Sequence, residues 1–228
     1  MIGDPVALSI RQNIQRPTAA LLERFAGAQT SFICDAMNSS GGLPQTIKPI
    51  APSERIMGPA ITAKCGHRDN LAAMAALDYL QPGDVLVIAT AGDKTGAVVG
   101  DHWAAVAKQN GAIAVITDGL VRDADGIDAV GIPTFAAGVA PNAGFPTGPG
   151  TLNLPVTIGE LTIDAGDIVI ADRDGVAIVP LARANAIADR LDRVRAAEAE
   201  AEAAFAAGTK TSMWNPAKFA DGRIDYVD

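Results

Sequence analysis

The chain has 228 residues, 49% of them apolar and 19% charged, with a formal net charge of −8. That length can bury a sizeable core, and that balance excludes a disordered chain. The acidic surplus argues against general nucleic-acid binding, since phosphate backbones repel it.

Taken in chain order, the N-terminal "MIGDPVALSIRQNIQRPT" lacks a charged leader followed by a long apolar run. No segment reaches the roughly 18 apolar residues needed to cross a bilayer. The expectation is a soluble, cytoplasmic protein with no membrane partner. "TAALLERFAGA" and "TSFICDAMNSS" carry apolar residues three and four apart and predict two helices, the second capped by Thr30 or Ser31. A Pro/Gly-rich connection follows, then "PAITAKCG" as a strand and "DNLAAMAALDYL" as a helix capped by Asp69. Cys34 and Cys65 show no metal-type spacing and read as small buried residues, not a disulfide.

"PGDVLVIAT" predicts a turn and a buried strand, "GDHWAAVAKQNG" a helix ending at Gly111, and "AIAVITDG" a second buried strand. "IPTFAAG" is a third, short strand, and "VAPNAGFPTGPGTLN" is a loop. From Leu154 to Pro180 short β-rich runs are broken at 158–160, 165–167 and 173–175, which are hairpin signals. "ARANAIADRLDRVRAAEAEAEAAFAAG" is one long helix closed by Gly208, and residues 209–228 form a tail. Together these predict one mixed α/β domain over 1–208 with a layered sheet and a long C-terminal helix.

Strand Val85–Ala89, helix Asp101–Asn110 and strand Ala112–Thr117 form a βαβ unit, with parallel strands and a right-handed crossover. The helix start and both strand ends then share one sheet edge, where ligands bind in open α/β sheets. Asp101 and the pair Arg122-Asp123, twenty residues apart between them, meet there. Free amides at the helix start suit a carboxylate. Arg122 can grip carboxylate or enolate oxygens through two N–H groups. Asp123 can give a hard oxygen to a divalent cation, which for Mg²⁺ commonly means one or two carboxylates and several waters. The alternative is a helix cap at Asp101 and a solvated loop pair at 122–123; spacing alone does not separate the two.

The stretch "GDHWAAVAKQNGAIAVITDGLVRD" resembles the active-site signature of the class II pyruvate aldolases that cleave 4-hydroxy-4-methyl-2-oxoglutarate and 4-carboxy-4-hydroxy-2-oxoadipate. Their superfamily includes the regulator of ribonuclease E activity A. "TSFICDAM", "MGPAITAKC", Asp69-Asn70, "PGDVLVIA" and "GDIVIADRDGVAIVP" extend the resemblance over residues 28–208. It implies a swivelling α/β/α-type fold and trimers, often paired into hexamers, with the active site between subunits. It implies Asp123 as the direct ligand of Mg²⁺ or Mn²⁺, Arg122 as the group that binds pyruvate and steadies its enolate, and Asp101 as the holder of metal-bound water. Amides near Gly100, His102 and Trp103 would hold the pyruvate carboxylate. A glutamate from the next subunit's C-terminal helix completes the site in these aldolases; Glu198 fits the spacing best, ahead of Glu200 and Glu202.

The implied activity is metal-dependent aldol cleavage of a 4-hydroxy-2-oxo di- or tricarboxylic acid to pyruvate, with oxaloacetate decarboxylation as a side reaction. The sequence departs from the family at His102 and Trp103, where aliphatics are usual, at Glu160 in place of a second glycine, and in a longer tail holding Trp214 and Tyr226. His102 is either an acid–base group or a pocket wall. Two rivals stand: a non-catalytic regulator that binds a ribonuclease, and a metal-dependent lyase or hydrolase of another 2-oxo acid. A methyltransferase is disfavoured, because "TGPG" at Thr147–Gly150 lacks the strand–loop–helix context of a nucleotide loop.

Overall fold

The structure is a computed structural model that describes residues 6–51, 55–209, 216–219, 221–225 and 227. In chain order the elements are β1 (Leu8–Ile10), α1 (Ala19–Glu23), α2 (Thr30–Ala36), β2 (Lys48–Pro49), β3 (Ile56–Lys64), α3 (Leu71–Ala76), β4 (Asp84–Ala89), β5 (Ala97–Val99), α4 (Asp101–Gln109), β6 (Ala112–Thr117) and β7 (Leu120–Val121). They continue with α5 (Ala124–Val130), β8 (Thr134–Ala136), β9 (Gly150–Leu152), β10 (Val156–Ile158), β11 (Leu161–Ile163), β12 (Ile168–Asp172), β13 (Gly175–Val179) and α6 (Ala184–Ala206). This is the expected mixed α/β layering with a long C-terminal helix.

Nine strands form the main sheet, along the path β1-β9-β3-β4-β6-β8-β2, with β12 and β13 branching from β3. Strands β3, β4, β6 and β8 run parallel, as βαβ crossovers require. Strand β3 is long enough to serve three neighbours, β12, β4 and β9. Its first half pairs antiparallel with β12, and Ala60–Lys64 pairs with β4.

Central strands are buried on both faces and alternate between two cores. Ile61, Ala63, Leu86, Ile88 and Val115 face the layer made by α3, α4 and α5. Ala60, Val85, Val87, Ala114 and Ile116 face the β10–β11 hairpin and Phe135. A third core packs α2 and the first half of α6 on β12 and β13. With so few aromatics, fully buried Ile, Leu, Val and Ala carry these cores.

The start of β4 is held by an ion pair. Asp84 is fully buried and meets Arg16 through both carboxylate oxygens, and one of them also accepts the Gln81 amide at 2.8 Å. This clamps the extended segment before α1 to the central sheet.

Several local expectations need correction. Gln29, not Thr30 or Ser31, is the N-cap of α2, and it makes no side-chain cap bond. The Thr30 amide and hydroxyl instead donate to Asp172 at 2.9 and 2.7 Å, so a distant carboxylate caps this helix. Asn70 occupies the N-cap of α3. Asp69 accepts from Leu71 at 2.9 Å with one oxygen and clamps Thr147 and Gly148 with the other. Of the three turns in 154–180, two close hairpins, β10–β11 and β12–β13. The turn at 165–167 carries the chain from one sheet to the other, because β12 finds β3 as its second partner. Gly111 and Gly208 do terminate α4 and α6 with positive φ, +107° and +69°.

Candidate functional site

Two short strands that carry no sequence signal of their own build the site. β5 and β7 lie parallel, pairing Ala97 with Leu120 and Val99 with Val121. Both therefore end at the same edge, one delivering Gly100-Asp101 and the other Arg122-Asp123. The Arg122 amide donates to Val99 O at 3.1 Å and fixes the two halves in register. The twenty-residue spacing thus becomes proximity through this ribbon as well as through the flanking βαβ unit.

Gly100 and Gly126 allow the close approach. A Cβ on Gly100 would lie 2.6 Å from Asp123 Oδ2 and 3.0 Å from Arg122 Cγ. A Cβ on Gly126, in the first turn of α5, would lie 2.5 Å from Asp101 Oδ2. Each acid therefore sits in a cradle that a side chain would fill. Asp123 adopts the left-handed conformation (φ 55°, ψ 48°), which aspartate tolerates better than most residues, and its carbonyl accepts the Ile127 amide at 2.9 Å. Arg122 Nε lies 3.2 Å from Asp123 Oδ2, with 44% and 43% of the two side chains exposed.

A cavity of about 130 Å³ opens here, lined by Gly100, Asp101, His102, Trp103, Arg122 and Asn70 among others. The first turn of α4 leaves the amides of Asp101, His102 and Trp103 without intrahelical partners. Asp101 Oδ1 accepts the His102 amide at 2.7 Å, so a carboxylate bound there would have to share or displace that bond. Trp103 is 6% exposed, and its indole N–H donates to Ala73 O at 3.0 Å. The ring is thus spent on packing, and only its backbone is free to serve a ligand. His102 is exposed at the rim.

Asn70 joins the site without having been a candidate on sequence grounds. It is 7% exposed, lines the cavity, and its Oδ1 is buried without a partner. A buried acceptor left unpaired is costly and marks a place for a ligand's donor. Its position just beyond β3, at the same sheet edge as Asp101, and its place in the Asp69-Asn70 motif are the signals the sequence offers for it.

Glu198, Glu200 and Glu202 lie exposed on the outer half of α6. Buried residues of α6 are confined to Ala184, Ile187, Ala188 and Leu191. Among the described residues no hydrogen bond or ion pair joins Glu198 to Asp101, Arg122 or Asp123. Glu160 sits in the β10–β11 turn and lines a different groove, beside Cys34 and Pro44. Trp214 and Tyr226 lie outside the described residues.

For a metal, the cradled donors are the carboxylates of Asp101 and Asp123. Among the described residues no group of three or more His, Cys, Asp and Glu side chains gathers around one point. That composition does not fit Zn²⁺, which takes several protein ligands. It fits Mg²⁺ or Mn²⁺ held by one cradled, half-exposed carboxylate and completed by water and ligand. The thiols play no part. Burial pushes the Cys65 thiol up to about 12, burial also raises Cys34, and both are free. No helix among the described residues is long and apolar enough to cross a membrane.

A protein of Halalkalibacterium halodurans named "Putative 4-hydroxy-4-methyl-2-oxoglutarate aldolase" is 36% identical over 159 residues, 70% of this chain and 76% of that one. The solved structure of Streptomyces coelicolor RraAS2, described as an unusual member of the RNase ES inhibitor RraA family, superposes with a TM-score of 0.72 at 26% identity, covering 82% of this chain and 98% of that one. The RNA-processing inhibitor RraA from Thermus thermophilis gives 0.62 at 25% identity, covering 67% and 93%. The profile of the RraA-like family, described as Aldolase/RraA, matches residues 30–178. That span holds both halves of the site, and the chain belongs to the RraA-like family of aldolases and RraA proteins.

Proposed function

We propose that this protein is a divalent-metal-dependent pyruvate aldolase. It cleaves the C3–C4 bond of a 4-hydroxy-2-oxo di- or tricarboxylic acid, with 4-hydroxy-4-methyl-2-oxoglutarate and 4-carboxy-4-hydroxy-2-oxoadipate as the leading substrates. The observation that carries the reading is the convergence of Asp101 and Arg122 on one cavity through the β5–β7 ribbon, with the Asp123 carboxylate 3.2 Å from Arg122 Nε. A ribonuclease-binding protein has no need of two cradled carboxylates beside an arginine.

Asp123 would hold the Mg²⁺ or Mn²⁺, which supplies a Lewis acid that draws negative charge onto the 2-oxo group. Arg122 binds the 2-oxo acid end and places positive charge where the enolate develops, so its contribution grows toward the transition state. The free amides at the start of α4 orient the C1 carboxylate. Asp101 orients a water that takes the proton from the 4-hydroxyl. The C3–C4 electron pair then passes to the enolate, the C4 fragment leaves as a carbonyl compound, and protonation at C3 gives pyruvate. Decarboxylation of oxaloacetate forms the same enolate and is the expected side reaction. The exposed outer half of α6 supports a homotrimer or a hexamer in which Glu198 reaches the site of a neighbouring copy.

The enolate step can be tested without knowing the natural substrate. In D₂O with Mg²⁺, the protein should exchange the methyl protons of pyruvate, and a chelator should stop the exchange. Absence of any metal-dependent exchange would instead favour the regulator reading.

A further inference from the structure

The loops that rim the cavity hold a second arginine. Arg68 precedes Asn70 by two residues, and its guanidinium lies over the Phe145 ring, 5.3 Å from the centroid. Phe145 itself is 55% exposed, so the stack sits at the surface and not in a core. Three features set this arginine apart.

First, its backbone is strained and pinned. Arg68 has φ 49°, unusual for a non-glycine residue. Its amide donates to Asp93 Oδ2 at 2.7 Å, and its carbonyl accepts the Phe145 amide at 2.7 Å. Second, its charge is unanswered. Nε is buried with no partner, and among the described residues no carboxylate pairs with the guanidinium, in a chain with 26 acids against 18 Lys and Arg. Third, its chain neighbours form part of the cavity wall. Asn70 and Ala143, each two residues from a member of the stack, line the cavity, while Arg122 and the start of α4 line it too. Gly144 packs so closely that a Cβ there would lie 3.0 Å from Arg68 O.

We propose that Arg68, levelled on Phe145, is a specificity residue that receives the distal carboxylate of the substrate. This rests on the aldolase reading. Arg122 takes the 2-oxo acid end, the reacting C3–C4 bond lies in the cavity, and the C4 carboxylate emerges at the rim beside a planar donor with an empty N–H. Stacking restricts the guanidinium and leaves its edges to form paired hydrogen bonds, which a lysine could not reproduce. A site built for a charged group penalises an analogue that lacks it, since the buried donor then stays unpaired.

The test compares 4-hydroxy-2-oxoglutarate with 4-hydroxy-2-oxopentanoate, in which a methyl group replaces the distal carboxylate, both with Mg²⁺. The unaltered protein should prefer the diacid in kcat/KM by at least about tenfold, the scale of one charge-assisted hydrogen bond. Arg68→Met should shrink that preference by about tenfold or more, mainly through KM for the diacid. Arg68→Lys should recover only part of it. Phe145→Leu, an exposed change, should shrink the preference in the same direction and keeps the test decisive if Arg68→Met folds poorly. No preference in the unaltered protein, or the same ratio in all variants, overturns the inference while leaving the aldolase standing. Cleavage of neither acid overturns both.

Discussion

Arg122 and Asp123 carry opposite charges 3.2 Å apart with more than two fifths of each side chain open to solvent. An exposed pair of that kind contributes at most about 1 kcal/mol to stability. Its geometry is therefore better explained by what it presents to the cavity. Arg122→Lys keeps the charge and loses the fork, so kcat for pyruvate formation should fall about 10²- to 10³-fold, the usual effect of removing an oxyanion donor. The thermal midpoint should barely move. Near-normal turnover in this variant would mean that Arg122 does not steady the enolate. Asp93 tests the loop behind the rim. Burial is the largest single influence on it and pushes its pKa up. The Thr95 hydroxyl, the amides of Arg68 and Thr95, and the nearby His67 outweigh that and pull it down to about 2. An unfolded aspartate titrates near 3.9. Asp93 thus adds stability that is complete above about pH 4 and disappears as pH falls through about 2. Melting curves of Asp93→Asn should lose less between pH 4 and pH 2 than those of the unaltered chain; equal losses would contradict the assignment.

At the scale of elements, long periodic segments are legible in the sequence and short tertiary ones are not. β6 runs from Ala112 to Thr117, as expected, and α4 opens at Asp101, because an apolar run and a helical stripe each carry their own signal. β5 and β7 have three and two residues, too few for any periodicity. They exist because each finds the other, and that pairing is what turns a spacing into a site. Helix α5 is hidden for a related reason: "ADGIDAV" has glycine and two aspartates, poor helix formers, and only Ile127 is buried. Gly126 is explained by space, since Asp101 occupies the volume its side chain would take. Residues 139–153 show no periodicity and read as a loop, yet their end forms β9 between β1 and β3. Asp101, Arg122 and Asp123 stand out in the sequence because their residue types announce their chemistry. Asn70 and Arg68 do not, because an unpaired buried atom shows only when its surroundings are known.

For the whole molecule, one chain supplies three of the four expected polar groups, and the fourth, Glu198, stands on an exposed helix arm. If a neighbouring copy receives that arm, Arg122→Lys and Glu198→Gln disable complementary halves of each site. Each variant alone should be nearly inactive. Mixed after partial dissociation, they should regain about a quarter of normal activity, as random pairing restores intact sites at about one interface in four. No recovery would place the whole site within one subunit. Everything proposed for the cavity depends most on the chemistry at Asp123. Pyruvate release from 4-hydroxy-4-methyl-2-oxoglutarate and from oxaloacetate should therefore be followed with Mg²⁺, with Mn²⁺ and with a chelator. The prediction is pyruvate from both acids with either metal at rates above the protein-free control, and none above that control after chelation or in Asp123→Ala. Metal-independent release, or no release from either acid, would contradict it.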